Sequence, residues 1–234
     1  MKSPNRKFKD AIYEQFSRIG KAISSPKRLE LLDLLCQGEK TVETLTQETG
    51  LTLANASQHL QVLRAARLVE ADKEGLYVKY RLADQMVCEF FRSMRVLAEN
   101  RLAEIEMIKR QFLEGRKGME PVDRNDLVKR VKDGVVTVLD VRPAEEYHAG
   151  HIPGALSVPL GQLDKLFSKL PKNKEIVAYC RGPYCVLAVQ AVEMLRKKGI
   201  KAIRLREGIQ DWRAMGFSVS EGEEKNPISG STIR

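Results

Sequence analysis

Apolar residues recur at three- and four-residue intervals through the first half of the chain, and this spacing predicts amphipathic helices. The pattern then alternates on both sides of a polar turn at residues 72–75, which predicts a β-hairpin. Helix, turn, helix and hairpin follow one another in the order of a winged helix-turn-helix. The predicted helices cover residues 7–20, 27–36, 42–49 and 52–66, and the hairpin strands cover residues 68–71 and 77–82.

A longer amphipathic pattern spans residues 87–112. One small domain cannot cover a helix of this length, so we expect a partner helix from a second copy of the chain. The segment at 115–121 is charged, contains two glycines and ends in proline, which predicts a linker.

The hydrophobic period changes in the second half of the chain. Residues 135–140, 175–179 and 201–205 are short apolar runs typical of buried parallel strands. Helices are expected at residues 123–132 and 186–198. Strand, helix and strand joined by short loops predict an α/β domain with a central parallel sheet.

The predicted organisation therefore has two domains. A mainly α domain with a β-hairpin wing occupies residues 1–114, for DNA binding and dimerisation. A linker at 115–122 connects it to the α/β domain at 123–219. The polar tail at 220–234 is expected to be disordered.

Composition limits the class of protein. The 234 residues, 43% of them hydrophobic, suffice for two small cores. No apolar run has membrane-spanning length and the start of the chain is polar, so we expect a cytoplasmic protein without membrane segments. The four cysteines are scattered, which fits a reducing compartment. The net charge is +9, and residues 1–28 carry eight basic and two acidic side chains, which suits either phosphate contacts or a solvated arm.

The candidate chemistry lies in residues 177–188, where an apolar run ends at Cys180 and a Gly-Pro loop leads into a predicted helix. This order places the thiol above the amino end of a helix, where the thiolate is favoured over the thiol. Backbone N–H groups of the loop are expected to surround a bound anion or an extra sulfur atom. These groups belong to Arg181, Gly182, Tyr184 and Cys185.

The second helix of the helix-turn-helix separates apolar from polar positions. Its inward face is expected to comprise Leu53, Ala56, Leu60 and Leu63. Its outward face carries short polar side chains of the kind that read base edges. The predicted DNA-contacting residues are Thr52, Asn55, Ser57, Gln58 and His59 on this helix and Lys73, Tyr77 and Lys79 on the wing. The alternative is a helical bundle whose polar face only meets water.

Residues 51–69, together with 25–29 and 77–82, resemble the recognition element and flanking segments of ArsR-type repressors. The resemblance implies a homodimer joined through the first and last helices of the domain. It also implies a palindromic operator DNA that is released when an effector binds. The Cys-x-Cys metal site of many family members is missing at 40–45, and no other Cys/His cluster has metal-ligand spacing, so no metal is expected.

Two other cysteines of this domain, Cys36 and Cys88, resemble the dithiol pair of the persulfide-responsive ArsR members. Cys36 lies about one turn later than in that pair, and Cys88 lies well earlier. Sensing of persulfide and simple apolar packing are therefore both open for these two residues.

Four stretches of the second domain resemble a rhodanese: residues 139–147, 150–155, the Cys180 loop and 207–212. The resemblance implies that Cys180 takes sulfane sulfur from a donor and holds it as a persulfide, without an organic cofactor. The loop from Cys180 to Cys185 has the six-residue length that the family uses for sulfur, whereas related phosphatases and arsenate reductases use seven. Thiosulfate-using members often have Arg or Lys at position 185, so Cys185 indicates either a resolving thiol or a packing residue.

The leading hypothesis from sequence is a homodimeric, sulfur-responsive repressor that receives sulfur from a sulfane donor or a low-molecular-weight persulfide. A second hypothesis is a sulfurtransferase whose basic N-terminal domain binds tRNA or a protein partner. In a third, the rhodanese domain is catalytically idle and another effector controls DNA binding.

Overall fold

The computed structural model describes residues 3–114, 116, 119, 121–122 and 124–224. The chain divides into two compact units, Met1–Met94 and Arg95–Arg234. Among the helices that the structure describes, none has the length and apolar character needed to cross a bilayer.

The first unit is a winged helix-turn-helix, as predicted. Its three strands form an antiparallel sheet in the order β1-β3-β2. The short strand β1, which pairs with the wing, was not predicted, because two residues carry too little pattern. The elements are α1 (Pro4–Ile23), α2 (Pro26–Leu35), β1 (Lys40–Thr41), α3 (Val42–Thr49), α4 (Leu53–Ala65), β2 (Val69–Glu74), β3 (Tyr77–Leu82) and the start of α5 (Gln85–Arg101).

Local sequence sets the angle between α3 and α4. Gly50 ends α3 in the left-handed conformation (φ 66°), which glycine adopts without strain. The Thr52 hydroxyl then accepts a 3.3 Å hydrogen bond from the Asn55 N–H and begins α4. Ala56, Leu60 and Leu63 are buried as expected, but Leu53 is 54% exposed because it lies in the first turn, beyond the edge of the core.

The long helix predicted for residues 87–112 is divided in two. The helix α5 ends at Arg101, Leu102 adopts an extended conformation (φ −110°, ψ 96°), and α6 spans Ala103–Leu113. The apolar spacing continues across this break and neither glycine nor proline marks it, so the sequence pattern gave no sign of it.

The second unit contains a four-stranded parallel sheet in the order β5-β4-β6-β7. Both faces are buried: Leu139 and Ala178 contribute to one apolar cluster, and Val138 and Val177 to the other. Besides the end of α5 and α6, its elements are α7 (Arg124–Lys132), β4 (Val136–Asp140), α8 (Ala144–Ala149), β5 (Leu156–Ser157), α9 (Leu163–Leu166), β6 (Glu175–Tyr179), α10 (Val186–Lys197), β7 (Ala202–Arg204) and α11 (Ile209–Ala214).

The segment after residue 219 differs from the disordered tail that the sequence predicts. Ser220 and His151 exchange two backbone hydrogen bonds of 2.9 and 3.0 Å, and Glu224 accepts a 2.8 Å hydrogen bond from the Gly154 N–H. Residues 220–224 are therefore bound to the folded domain. The rest of the predicted tail, 225–234, lies outside the described residues.

Candidate functional site

Cys180 follows directly after the buried strand β6, and its own side chain is only 2% exposed. Five residues later the half-buried Cys185 stands at the position before the first residue of α10. A disulfide joins the two cysteines, whose Cα atoms are 6.1 Å apart. The loop thus brings two sulfur atoms together at the amino end of a twelve-residue helix.

One of the N–H groups expected to surround an anion is already used inside the loop. The Cys185 N–H donates a 3.1 Å hydrogen bond to the Gly182 carbonyl, so it is not available to a persulfide. Within the described residues, the N–H groups of Gly182 and Tyr184 have no hydrogen-bond acceptor. These two groups remain the candidates for holding a negative charge on sulfur.

The first residue after Cys180 anchors the loop to α8. The Arg181 guanidinium forms a bidentate ion pair with Glu146, with N–O distances between 2.5 and 3.1 Å. Glu146 is 1% exposed, so the pair is shielded from water. Because a bidentate arginine–carboxylate pair fixes orientation as well as distance, it holds the start of the loop in place.

The backbone before α11 packs directly against the same part of the loop. A Cβ atom at Gly208 would overlap the Arg181 carbonyl and would lie 2.6 Å from the Gly182 nitrogen. Only glycine permits this approach. The Gly208 N–H in turn donates a 3.3 Å hydrogen bond to the buried Asp211 carboxylate, which also pairs with Arg95 of α5.

The end of α5 contacts the loop through two further side chains. Arg95 lies against Gly182: a Cβ atom added to Gly182 would be 3.1 Å from the Nη1 atom of Arg95. The Tyr184 hydroxyl donates a 2.7 Å hydrogen bond to Glu99. Burial raises the pKa of Tyr184 above its usual value, and the hydrogen bond to Glu99 adds to the rise.

A buried polar network lies beneath the loop. Arg142 pairs with Asp140 (3.0 and 2.6 Å) and also donates to the Gly150 carbonyl at 2.7 Å. Burial alone lowers the pKa of Arg142, but the charge and hydrogen bonds of Asp140 outweigh it and raise the pKa overall. Asp140 also accepts a hydrogen bond from Tyr179, the residue before Cys180. The network therefore fixes the strand end from which the cysteine projects.

On α4, the predicted DNA-reading residues form an accessible surface. Asn55 and Gln58 are exposed, and Ser57 and His59 are half-buried beside them. Thr52 is also exposed, although its hydroxyl caps the helix.

The two lysines predicted to contact DNA from the wing differ in whether they form ion pairs. Lys79 forms ion pairs with Glu74 (2.7 Å) and Glu39 (3.3 Å), and these two hydrogen-bonding carboxylates raise the pKa of its ammonium group. In contrast, Lys73 is exposed and has no ion pair within the part of the chain that the structure describes. Tyr77 beside it is 56% exposed. Lys73 is therefore the wing cation best placed for a phosphate.

Two cations of the predicted basic arm serve the fold instead. Arg28 donates to the carbonyls of Lys21 (2.9 Å) and Ala22 at the end of α1. Lys27 donates to the Thr49 carbonyl at the end of α3, at 3.0 Å. Both neutralise helix C-termini, which reduces the arm's charge available for phosphates.

The other two cysteines are both buried, and neither is in a disulfide. Cys36 directly follows the last residue of α2 and is 7% exposed, and Cys88 lies in the first turn of α5 and is 3% exposed. Within the described residues, no group of three or more histidine, cysteine or acidic side chains could hold a metal ion.

Comparison with known proteins identifies both parts. Residues 123–215 match the family model of the rhodanese-like domain, and residues 25–71 match that of the arsR family of bacterial regulatory proteins. The HTH-type transcriptional regulator Rv0324 of Mycobacterium tuberculosis is 42% identical over 214 residues, which cover 92% of this chain and 94% of that protein. The chain is an ArsR-family transcriptional regulator with a rhodanese domain.

Other relatives are similar to one part of this ArsR-family regulator. A sulfurtransferase of Allochromatium vinosum is 31% identical over 100 residues, covering 42% of this chain and 92% of that protein. Among solved structures, the homodimeric winged helix-turn-helix domain Mb0332 of Mycobacterium bovis is 40% identical, covering 44% of this chain and 92% of that one, with a TM-score of 0.40.

The sequence motifs contained some of the residues around the loop but not all. Glu146, Gly208 and Asp211 lie within the rhodanese-like stretches, although no role was predicted for them. Arg95 and Glu99 were missed entirely, because polar residues on an amphipathic helix are ordinarily assigned to solvent.

Proposed function

We propose that this ArsR-family regulator is a sulfur-responsive repressor whose rhodanese domain carries persulfide sulfur on Cys180. The observation that carries the proposal is the loop at the start of α10, where Cys180 and Cys185 are close enough to be joined. A DNA-binding unit and a two-cysteine sulfur loop on one chain favour regulation by sulfur over sulfur transfer alone.

The chemistry requires no oxidant. The Cys180 thiolate attacks the outer sulfur of a low-molecular-weight persulfide RSSH, forms a Cys180–S–S⁻ group and releases the thiol RSH. The N–H groups of Gly182 and Tyr184 and the amino end of α10 favour the new anion. The Cys185 thiol then attacks the inner sulfur and its proton passes to the departing outer sulfur, so that the Cys180–Cys185 disulfide forms and HS⁻ leaves. The disulfide in the structure supports this second step.

Repression requires a dimer that fits a palindromic operator. Large apolar side chains are exposed on both helices expected to join the protomers: Phe8, Tyr13 and Phe16 on α1, and Met86 and Leu97 on α5. Such exposed apolar groups support an interface with a second copy. In the proposal, sulfur from Cys180 reaches Cys36 and Cys88 directly or through small persulfides and shifts the dimer from its DNA-binding form.

The test measures operator affinity with and without a persulfide donor. We expect wild type to lose affinity on treatment, and Cys180→Ser, Cys36→Ser and Cys88→Ser to lose less. Intact mass spectrometry follows sulfur on each variant. Unchanged operator affinity while Cys180 gains sulfur would contradict the coupling, and selective tRNA binding without an operator would favour a sulfurtransferase.

A further inference from the structure

A cavity of about 210 Å³ lies beside Cys185 within the second unit. Its apolar walls come from α6 and from the first turn of α10, and they include Ile108, Phe112, Val186 and Val189. Cys180 does not line this cavity and is only 2% exposed. A small molecule in the cavity therefore meets Cys185 rather than Cys180.

The cavity also contains a buried cation that pairs with no carboxylate among the residues that the structure describes. Arg204 lines it and is 6% exposed, and its Nε donates a 2.9 Å hydrogen bond to the Met119 carbonyl. Among the described residues no carboxylate pairs with Arg204. Burial lowers the pKa of this guanidinium, and the neighbouring charge of Arg206 lowers it further.

The second cation at the cavity is different, because Lys109 already pairs with Glu106 at 2.6 Å. A buried charge without a counterion is unfavourable, and an anionic ligand would relieve that cost at Arg204. The apolar walls would contact the hydrophobic part of such a ligand, between its anionic group at Arg204 and the sulfur of Cys185.

We propose that this cavity binds a small thiol with an apolar body and an acidic group, oriented by Arg204 so that its sulfur attacks Cys185. The inference deepens the proposed function, on whose sulfur chemistry at the loop it rests. It assigns the two cysteines different partners: Cys180 receives sulfur, and Cys185 reacts with the thiol.

The step is a thiol–disulfide exchange. The thiol RSH ionises to RS⁻ and releases its proton to solvent. The thiolate attacks the Cys185 sulfur, a mixed disulfide R–S–S–Cys185 forms, the Cys180–Cys185 bond breaks, and the Cys180 sulfur leaves as thiolate. A second RSH converts the mixed disulfide into RSSR and the free Cys185 thiol. Two thiols thus supply both electrons that return the loop to its reduced form.

The test uses the full chain in its disulfide form, with 4-mercaptobenzoate as acidic probe and 4-mercaptobenzamide as neutral control. The rate at which each thiol opens the Cys180–Cys185 disulfide is followed by trapping the released Cys180 thiol with iodoacetamide. To correct for intrinsic reactivity, that rate is divided by the rate at which the same thiol reduces 2-hydroxyethyl disulfide. We expect the acidic thiol to be favoured about tenfold, as a buried charge-assisted contact predicts. Peptide mapping should find the mixed disulfide on Cys185.

Variants locate the preference. Arg204→Gln should abolish it, Arg204→Lys should retain most of it, and Lys201→Gln, which removes an exposed charge outside the cavity, should leave it unchanged. Ile108→Trp should slow both thiols; because Ile108 is 63% exposed, this variant folds even if Arg204→Gln does not.

Equal corrected rates for the two thiols in wild type, a mixed disulfide on Cys180, or a preference that survives in folded Arg204→Gln would each overturn the inference. The readout involves neither operator nor persulfide. If the acidic thiol is preferred but persulfide leaves operator affinity unchanged, the proposed function is wrong and thiol binding in the cavity is supported. If persulfide lowers operator affinity but the two thiols react equally, only thiol binding in the cavity is wrong.

Discussion

The Tyr184 hydroxyl donates a 2.7 Å hydrogen bond to Glu99 of α5. This bond connects the sulfur loop, residues 180–185, to the helix whose first turn carries Cys88. Tyr184 directly precedes Cys185, so the residue that makes this bond is the immediate neighbour of one of the two cysteines. The bond is therefore a direct physical connection from loop to helix.

Tyr184→Phe should separate sulfur capture from regulation. The phenyl ring keeps the packing but removes the hydrogen bond to Glu99. We expect persulfide loading of Cys180, measured by intact mass, to stay within about twofold of wild type, and the persulfide-induced loss of operator affinity to shrink by about fivefold, which corresponds to one net hydrogen bond. Tyr147→Phe, which removes a tyrosine hydrogen bond to the Ala155 carbonyl inside the rhodanese domain, is the control. An unchanged operator response in Tyr184→Phe would show that the connection is not used.

Gly208→Ala should displace the loop without touching either cysteine. The added methyl group overlaps the Arg181 carbonyl, so the backbone must shift, at a cost of about 1–3 kcal/mol of stability. We expect slower sulfur loading of Cys180 and a lower urea midpoint. Gly161→Ala is the matched control, because no atom lies within 4 Å of a Cβ there. Equal behaviour of the two variants would contradict the close approach.

Arg181→Met should strongly destabilise the rhodanese domain. It removes the bidentate partner of Glu146, which is 1% exposed, and leaving such a charge buried costs about 3–5 kcal/mol. Arg213→Met is the control, since its pair with Glu221 spans 3.7 Å at the surface and contributes at most about 1 kcal/mol. The double variant Glu146→Gln with Arg181→Met should recover part of the loss. Urea unfolding followed by the single tryptophan, Trp212, measures all three.

The two wing lysines should contribute differently to operator binding. Lys73→Ala is expected to weaken binding and to reduce the slope of log affinity against log salt by about one, because one phosphate contact is lost. Lys79→Ala should change that slope less, since Lys79 already pairs with Glu74 and Glu39. Fluorescence anisotropy at several salt concentrations gives both slopes. A larger effect from Lys79 would mean that its ion pairs open on DNA.

The rhodanese domain should lose stability at alkaline pH through Tyr179. Burial raises the pKa of this phenol well above 10.0, and the charge of Asp140 adds to the rise. The unfolded chain therefore ionises first, so the stabilisation is complete below about pH 10 and falls as the pH rises further. Tyr179→Phe should be less stable at neutral pH, by about 1–3 kcal/mol, because Asp140 loses a donor.

The same variant should show a shallower decline above pH 10. A residual decline is expected from Tyr147, whose pKa burial raises to about 12. Urea unfolding of the full chain between about pH 7 and pH 11, monitored at Trp212, tests this. An identical decline in wild type and Tyr179→Phe would assign the alkaline transition to other groups.

Sequence pattern predicted the elements whose cause is local. The helix-turn-helix follows from Gly50 and Thr52, and the parallel strands follow from short apolar runs, so both could be read in advance. The break at Leu102 could not, because its residue type is an ordinary helix former and the apolar spacing continues through it.

The surroundings of the sulfur loop depend on residues far apart in the chain. Arg95 and Asp211 are 116 residues apart, and no local pattern relates them. Likewise, Lys73 and Lys79 have the same side-chain chemistry in the sequence, and only the paired strands show which one is neutralised. The loop itself was predictable, because its thiol, its length and the following helix are contiguous.

The pairing of charges on the wing has a consequence for the affinity of the protein for DNA of arbitrary sequence. Besides Lys79, Arg81 also pairs, with Glu70 (2.6 Å) and with Asp72, so strand β3 presents few uncompensated cations to a duplex. Because affinity for arbitrary DNA grows with the number of phosphates neutralised, we expect such a wing to add little to the binding of unrelated sequence. Under the proposed function, base contacts from α4 would then account for a larger share of the binding free energy, and a modest chemical change would suffice to release the operator.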